Sequence, residues 1–162
     1  MNDLIVDVKL WGESVGSLYW EKESNAALFD YERKFIRSGL DISPIIMPIS
    51  QYRNTPYRFL ENRTDCFKGL PGLFADSLPD TFGNQIINEW FASKGLSGEE
   101  ITPLDRLCYV GKRGMGALEF EPSSPINGMN ESSVLHIEEL TELAKSVFTL
   151  SLIHISEPTR PY

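Results

Sequence analysis

The residues of this chain whose types and spacing could do chemistry cluster between Gly69 and Pro122. Gly111-Lys-Arg-Gly-Met-Gly116 offers backbone N–H groups exposed by glycines together with the charges of Lys112 and Arg113, the ingredients of a phosphate cradle. A Walker-type loop, however, needs its lysine followed by Ser or Thr at the opening of a helix. Here the glycines run into Ala117-Leu118-Glu119-Phe120, which alternates as a strand does. A tight helix-to-strand turn, with glycines at positive φ, is therefore the favoured reading. Asp76, Asp80, Glu119 and Glu121 could pair as carboxylates for acid–base or metal work, but Pro79 interrupts the Asp76–Asp80 spacing and no histidine lies near. For Asp80 the cheaper role is an N-cap. Asp76 either satisfies loop amides or pairs with Arg106. Cys66 and Cys108 lack a nearby histidine, His136 stands at a helix start, and His154 lies close to the C-terminus, so neither a triad nor a metal site emerges. Trp11, Tyr19, Trp20, Phe29 and Tyr31 could form a stacking platform, although on alternating strands they read more simply as core and sheet surface.

The elements that must position these residues follow from periodicity. Leu4–Trp11 and Ser17–Trp20 read as a β-hairpin turning through Gly12–Gly16, and Ala26–Tyr31 as a third strand. A short helical turn over Tyr31–Gly39 is followed by Asp41–Met47, which reads as extended chain because Pro44 restricts the residue before it. Gln51–Lys68 matches no template, and the Gly69–Gly83 run reads as a Gly/Pro-punctuated acidic turn. Ile86, Ile87, Trp90 and Phe91 share one face of a helix from about Thr81 to Ser93. A second helix starts after Thr102 with Pro103 at its first position and Leu104, Leu107 and Cys108 inward. Gly116–Glu121 then returns to the first sheet. Pro122–Asn130 is a linker by composition, and His136–Phe148 a last amphipathic helix. The fold class is α+β: a small, mostly antiparallel sheet with helices packed on one face.

Composition narrows the functional classes. At 162 residues, 41% apolar and 23% charged, the chain can bury one ordinary core and is not of the disordered class. A net charge of −8 argues against a nucleic-acid footprint. Two isolated cysteines, no membrane-length apolar run and no basic, apolar leader point to the cytoplasm.

In order and spacing the elements resemble the N-terminal subdomain of the HipA-like serine/threonine kinases, toxins of a bacterial toxin–antitoxin system. The resemblance runs from about Ile5 to Pro122. It is carried by the hairpin with Gly12 and Gly16, the Phe29-Asp-Tyr31 strand, Leu73-Phe-Ala-Asp-Ser-Leu-Pro-Asp80, Leu104-Asp-Arg-Leu107 and Gly116-Ala-Leu-Glu-Phe120. Within it Gly72, Leu73, Phe74, Asp76, Leu78, Pro79, Asp80, Gly83, Arg106, Gly111, Gly116, Ala117 and Leu118 are the family-marking positions, structural or interfacial in role. The resemblance implies a full-length parent that phosphorylates protein Ser or Thr with ATP and magnesium. It implies as partners the parent's kinase region and a helix-turn-helix antitoxin. In some relatives this subdomain is a separate protein that restrains the kinase. The family's glycine-rich ATP loop, nucleotide-binding lysine and catalytic and metal-binding aspartates have no counterparts here, so this chain is expected to carry neither a catalytic residue nor a cofactor or metal site.

Three regions are expected: a subdomain over 1–122, a linker and the start of the kinase region over 123–149, and a tail over 150–162. Leu150–Arg160 resembles the translation of a transposase adapter used in preparing DNA for sequencing, and natural sequence is expected to end near Thr149.

Overall fold

The structure is a computed structural model of the chain. It describes residues 4–62, 64–93, 95, 101–114, 116–123, 144–145 and 147. Strands β1 (Ile5–Leu10) and β2 (Glu13–Glu21) form the expected hairpin. Its turn is tighter than the sequence suggests: Trp11 and Gly12, at φ 50 and 81, make a two-residue connection, and β2 resumes at Glu13. Two successive positive-φ residues match the right-handed twist of the flanking strands. The register then shifts between Val8 and Lys9, so Val15 is accommodated as an extra residue and is buried.

Strand β3 (Ala26–Tyr31) pairs antiparallel with β2, and the two-residue β4 (Tyr57–Arg58) caps the β3 edge. At the far side β5 (Leu118–Pro122) returns antiparallel to β1, giving the order β4-β3-β2-β1-β5. Alternation places Val6, Val8, Leu18, Trp20, Ala27, Phe29, Tyr31 and Phe120 on the buried face. Helices α1 (Arg33–Ser38), α2 (Gly72–Ala75) and α4 (Pro103–Val110) cover it, contributing Phe35, Phe74, Ala75, Leu104 and Leu107 to one core. The α+β class with helices on one face of an antiparallel sheet is the observed architecture.

Two local expectations are corrected. Asp41–Met47 is a turn rather than extended chain: the Met47 N–H donates to Ser43 O at 2.9 Å across Pro44–Ile46. Proline fixes the φ that the first central position of a turn requires, and the Asp41 carboxylate accepts from the N–H groups of both Ser43 and Ile49, each at 3.0 Å. The Gly69–Gly83 run is also more than a turn, since it contains α2. Within the unassigned Gln51–Lys68 stretch lie β4 and a 3-10 turn at Leu60–Asn62.

The chain forms two compact units, one of Met1–Leu78 with Ile101–Ile126, the other of Pro79–Glu100 with Asn127–Tyr162. In the second, α3 (Thr81–Ser93) has the expected bounds, with Ile87, Trp90 and Phe91 buried and Ile86 half-buried. The Trp90 and Phe91 rings meet edge-on, with centroids 4.9 Å apart. Most of the expected linker and last helix, and all of the tail, lie outside the described residues. Ala144, Lys145 and Val147 are helical, and Val147 is buried.

Candidate functional site

The acidic end of the block is built into the core. Gly69 lies alongside β3: its N–H donates to Asn62 O at 2.7 Å and its carbonyl accepts from Ala27 N at 2.8 Å. A side chain there would meet the backbone oxygen of Asn25 at 2.5 Å, on a residue whose φ is already +79. Leu70 is wholly buried, and its carbonyl accepts from Asn62 Nδ2 at 3.0 Å. Pro71 then opens α2, whose first residue, Gly72, sits close to the Phe67 ring. Phe74 is the anchor of the segment. Its ring packs on Phe29 at 4.8 Å and edge-on against Phe120 at 6.4 Å, joining α2 to the strand that ends the block. Leu73 and Leu78 are half-buried against the same core.

The carboxylates of this end do not form a pair on one helical face. Asp76 is exposed where α2 ends, and no ion pair joins it to Arg106 among the described residues. Asp80 precedes α3 in the other compact unit. Its Oδ1 accepts from Gly83 N at 2.8 Å and its carbonyl from Asn84 N at 2.8 Å, while Asn84 Nδ2 donates to the Pro79 carbonyl at 2.7 Å. That is the geometry of an N-cap, a side-chain oxygen satisfying one of the helix's orphan amides.

The basic end is a surface turn. Helix α4 is started by Thr102, whose Oγ1 accepts from Asp105 N while Asp105 Oδ2 accepts from Thr102 N at 2.7 Å, a reciprocal capping box. Leu104 and Leu107 are buried, and Arg106 is half-buried, its guanidinium pKa lowered by that burial. Burial, with lesser contributions from Asp105 and Asp7, pushes the Cys108 thiol up to about 12, so it is a neutral packing group rather than a nucleophile. Gly111, at φ 55 and ψ −122, ends the helix; its N–H donates to Leu107 O at 2.8 Å and its carbonyl accepts from Phe120 N at 3.3 Å. Gly116, at φ +130, has open space around it, and the carbonyl of Ala117 accepts from Trp11 N at 3.3 Å, tying the turn to the β1–β2 hairpin. Leu118 faces Leu10 across the β1–β5 pair and is half-buried.

The charges of this turn are directed at the protein itself. Lys112 Nζ lies 2.9 Å from Glu121 Oε1, and Lys9 also contacts the Glu121 carboxylate. Hydrogen bonds from Lys9 and then Lys112 hold Glu121 below its usual carboxylate range. Arg113 lies over the Tyr109 ring, 5.9 Å from its centroid, and donates to Tyr109 O at 3.1 Å. The Arg113 amide donates to Val110 O at 2.9 Å. This arrangement matches a helix-to-strand turn in which both cations, and the Gly111 and Arg113 amides, are engaged internally.

The remaining candidates are dispersed. Cys66 is exposed and Cys108 packed away, and both are free thiols. No group of three His, Cys, Asp or Glu that could hold a metal occurs among the described residues. His136 and His154 lie outside them. Of the aromatic candidates, Trp20, Phe29 and Tyr31 are core, Tyr19 is half-buried and Trp11 is exposed, so they do not share one platform. Sequence reasoning missed the Lys9–Glu121–Lys112 cluster, which depends on a strand pairing remote in sequence. It also missed the Thr102–Asp105 box, for which the Thr-x-x-Asp spacing ahead of an apolar run was an available signal.

The family model for the HipA N-terminal domain matches residues 6–121, from the second residue of β1 to the fourth of β5. No curated protein matches the chain significantly. The match covers both ends of the block, the sheet they share and every described helix through α4. The chain belongs to the HipA N-terminal domain family.

Proposed function

We propose that this chain is the non-catalytic N-terminal subdomain of a HipA-like toxin of a type II toxin–antitoxin system, whose full-length form is an ATP-dependent serine/threonine protein kinase. The family match over residues 6–121 carries the reading. It is supported by how the marked residues are used: Phe74 and Leu118 in packing, Asp80 and Gly83 in a helix start, Gly111 and Gly116 in a turn. In this role the subdomain packs against the kinase region of the parent and contributes to contacts with a helix-turn-helix antitoxin. ATP and magnesium belong to the parent's kinase region. Direct nucleic-acid binding is not part of the role, given the net charge of −8. The proposed compartment is the cytoplasm, which suits two free thiols. No described helix is long and apolar enough to cross a membrane.

The test is reconstitution: the purified chain is mixed with the separately expressed kinase region of the parent polypeptide and the mixture is resolved by size-exclusion chromatography. A stoichiometric complex that restores or stabilises kinase activity is expected. Failure to associate overturns the proposal. Association that suppresses autophosphorylation in trans would instead identify a stand-alone regulator of a separately encoded kinase.

A further inference from the structure

Asp30 and Tyr31 are consecutive in β3, so their side chains leave opposite faces of the sheet. Both nevertheless hold the same loop. The Tyr31 hydroxyl donates to the Met47 carbonyl at 2.8 Å, and the Asp30 carboxylate accepts from the Tyr52 hydroxyl. Residues 41–58 therefore wrap the end of β3 from both faces, as a clasp does. The clasp is also bonded to itself. The Tyr57 hydroxyl donates to the Pro48 carbonyl at 2.8 Å, and Asp41 accepts from Ser43 N and Ile49 N, each at 3.0 Å. Gln51 N donates to Pro48 O at 3.0 Å and Tyr52 N to Ile49 O at 3.1 Å.

Its ties to the sheet are fewer. The β3–β4 ladder has two residue pairs, Leu28 with Arg58 and Phe29 with Tyr57, whereas β2 pairs with β3 along the whole of β3. Within residues 41–58, Met47 and Pro48 are buried, and Ile42, Ile49, Tyr52 and Tyr57 are half-buried. A short ladder and few fully buried groups mark a segment that opens at lower free energy than the strands beneath it. What the clasp covers is backbone. Glu32 N donates to Val15 O and Ala27 N to Gly69 O, so Ala27, Phe29 and Tyr31 turn their backbone groups away from β2. Gly69 takes Ala27, and Tyr57 pairs with Phe29. The opposite edge of the sheet is closed differently: Phe120 N donates to Gly111 O at 3.3 Å, and Pro122 has no N–H to offer.

We propose that residues 41–58 are a clasp that opens as one unit while the sheet stays folded, uncovering the outer edge of β3 at Phe29. The bonds of Asp41, Tyr57, Gln51 and Tyr52 lie within the clasp and hold it together as it lifts. The bonds broken are those of Tyr31 and Asp30 and the two-residue ladder. An uncovered strand edge is a template for pairing with another chain, and the closed clasp withholds it.

Residue-resolved amide hydrogen exchange of the full chain in rising, sub-denaturing urea tests the proposal. The reporters are the bonded amides of Ser43, Met47, Ile49, Gln51 and Tyr52 in the clasp, and those of the β1–β2 ladder in the sheet. The urea slope scales with the surface exposed, so the clasp amides should share one slope, well below that of the sheet amides. Val6→Ala weakens β1, which β2 and β3 separate from β4. It should speed the sheet amides about tenfold or more and leave the clasp amides within about twofold. Tyr52→Phe removes the hold on Asp30 and should speed all the clasp amides by one common factor of about five. Clasp amides that follow the urea slope of the sheet and respond equally to Val6→Ala overturn the proposal, because the loop then opens only when the whole unit unfolds. A Tyr52→Phe effect confined to Gln51 and Tyr52 overturns it as well, since that is local fraying rather than a unit.

Discussion

The two ends of the Gly69–Pro122 block look alike as sequence, each a glycine-punctuated run with charges, yet they are used in opposite ways. At Gly69 the backbone is pressed against β3, with Asn25 O 2.5 Å from where a side chain would begin, and five residues later Phe74 reaches the centre of the core. At Gly116 nothing lies within 4 Å of the corresponding position, and the residue is needed only for its φ of +130. The charges separate the same way. Asp76 is left in solvent, whereas Lys112 and Arg113 are turned back onto Glu121 and Tyr109. Glycine spacing therefore does not by itself distinguish a packed crossing from a surface turn; what surrounds the missing side chain does. The Phe74–Phe120 contact links α2 to β5 within one compact unit.

Phe74→Ala should break the arrangement most severely. It empties a wholly buried ring site at the junction of α2, β3 and β5, and about 3–5 kcal/mol of stability should be lost in urea unfolding. A loss under about 1 kcal/mol would mean that the acidic end is peripheral after all. The glycines sharpen the contrast directly. Gly69→Ala meets both a backbone oxygen and an unfavourable φ and should cost about 3 kcal/mol, whereas Gly116→Ala faces only the φ penalty and should cost about 1 kcal/mol. Equal effects would erase the distinction between the ends.

A smaller effect separates the core from the turn by pH. Burial raises Tyr31, Tyr57 and Tyr52, the last to about 12, above the ordinary phenol value of 10.0. The folded state holds these protons more tightly than the unfolded chain. The resulting stability is complete below pH 10 and is lost as pH rises through the folded values. Tyr31→Phe removes the bond to Met47 O and should lower stability by about 1 kcal/mol at neutral pH while flattening the alkaline decline. Chemical denaturation at a series of pH values measures both. The smallest effect belongs to the basic turn. Lys112→Ala should leave Tm at neutral pH unchanged, because the lysine is exposed and Lys9 still holds Glu121. The contribution of Glu121 itself is present above its ordinary pKa of 4.5 and fades as pH falls through its lowered folded value.

The sequence was most readable where structure is periodic and local. Ile86, Ile87, Trp90 and Phe91 set the face of α3, and Thr102-Pro103 marked the start of α4 within a residue. It was least readable where tertiary contacts decide. Helix α2 has four residues, too few for a period, and its place is set by Phe74 entering the core. Strand β4 has two and pairs only because β3 presents an edge. The turn at Pro44 depends on Asp41 bonding both Ser43 and Ile49. The hairpin turn was displaced because Trp11 adopts a conformation that its residue type disfavours. Of the candidate site, the turn reading of Gly111–Gly116 followed from the strand after it, but the pairing of Lys112 with Glu121 depended on the packing of β5 beside β1.

The central claim, that the block marks a subdomain without doing its chemistry, is tested most directly by calorimetric titration of the chain with ATP in the presence of magnesium. No saturable binding is expected up to millimolar nucleotide. Micromolar, magnesium-dependent binding that Lys112→Ala abolishes would contradict it and return the Gly111–Gly116 loop to the role of a phosphate site.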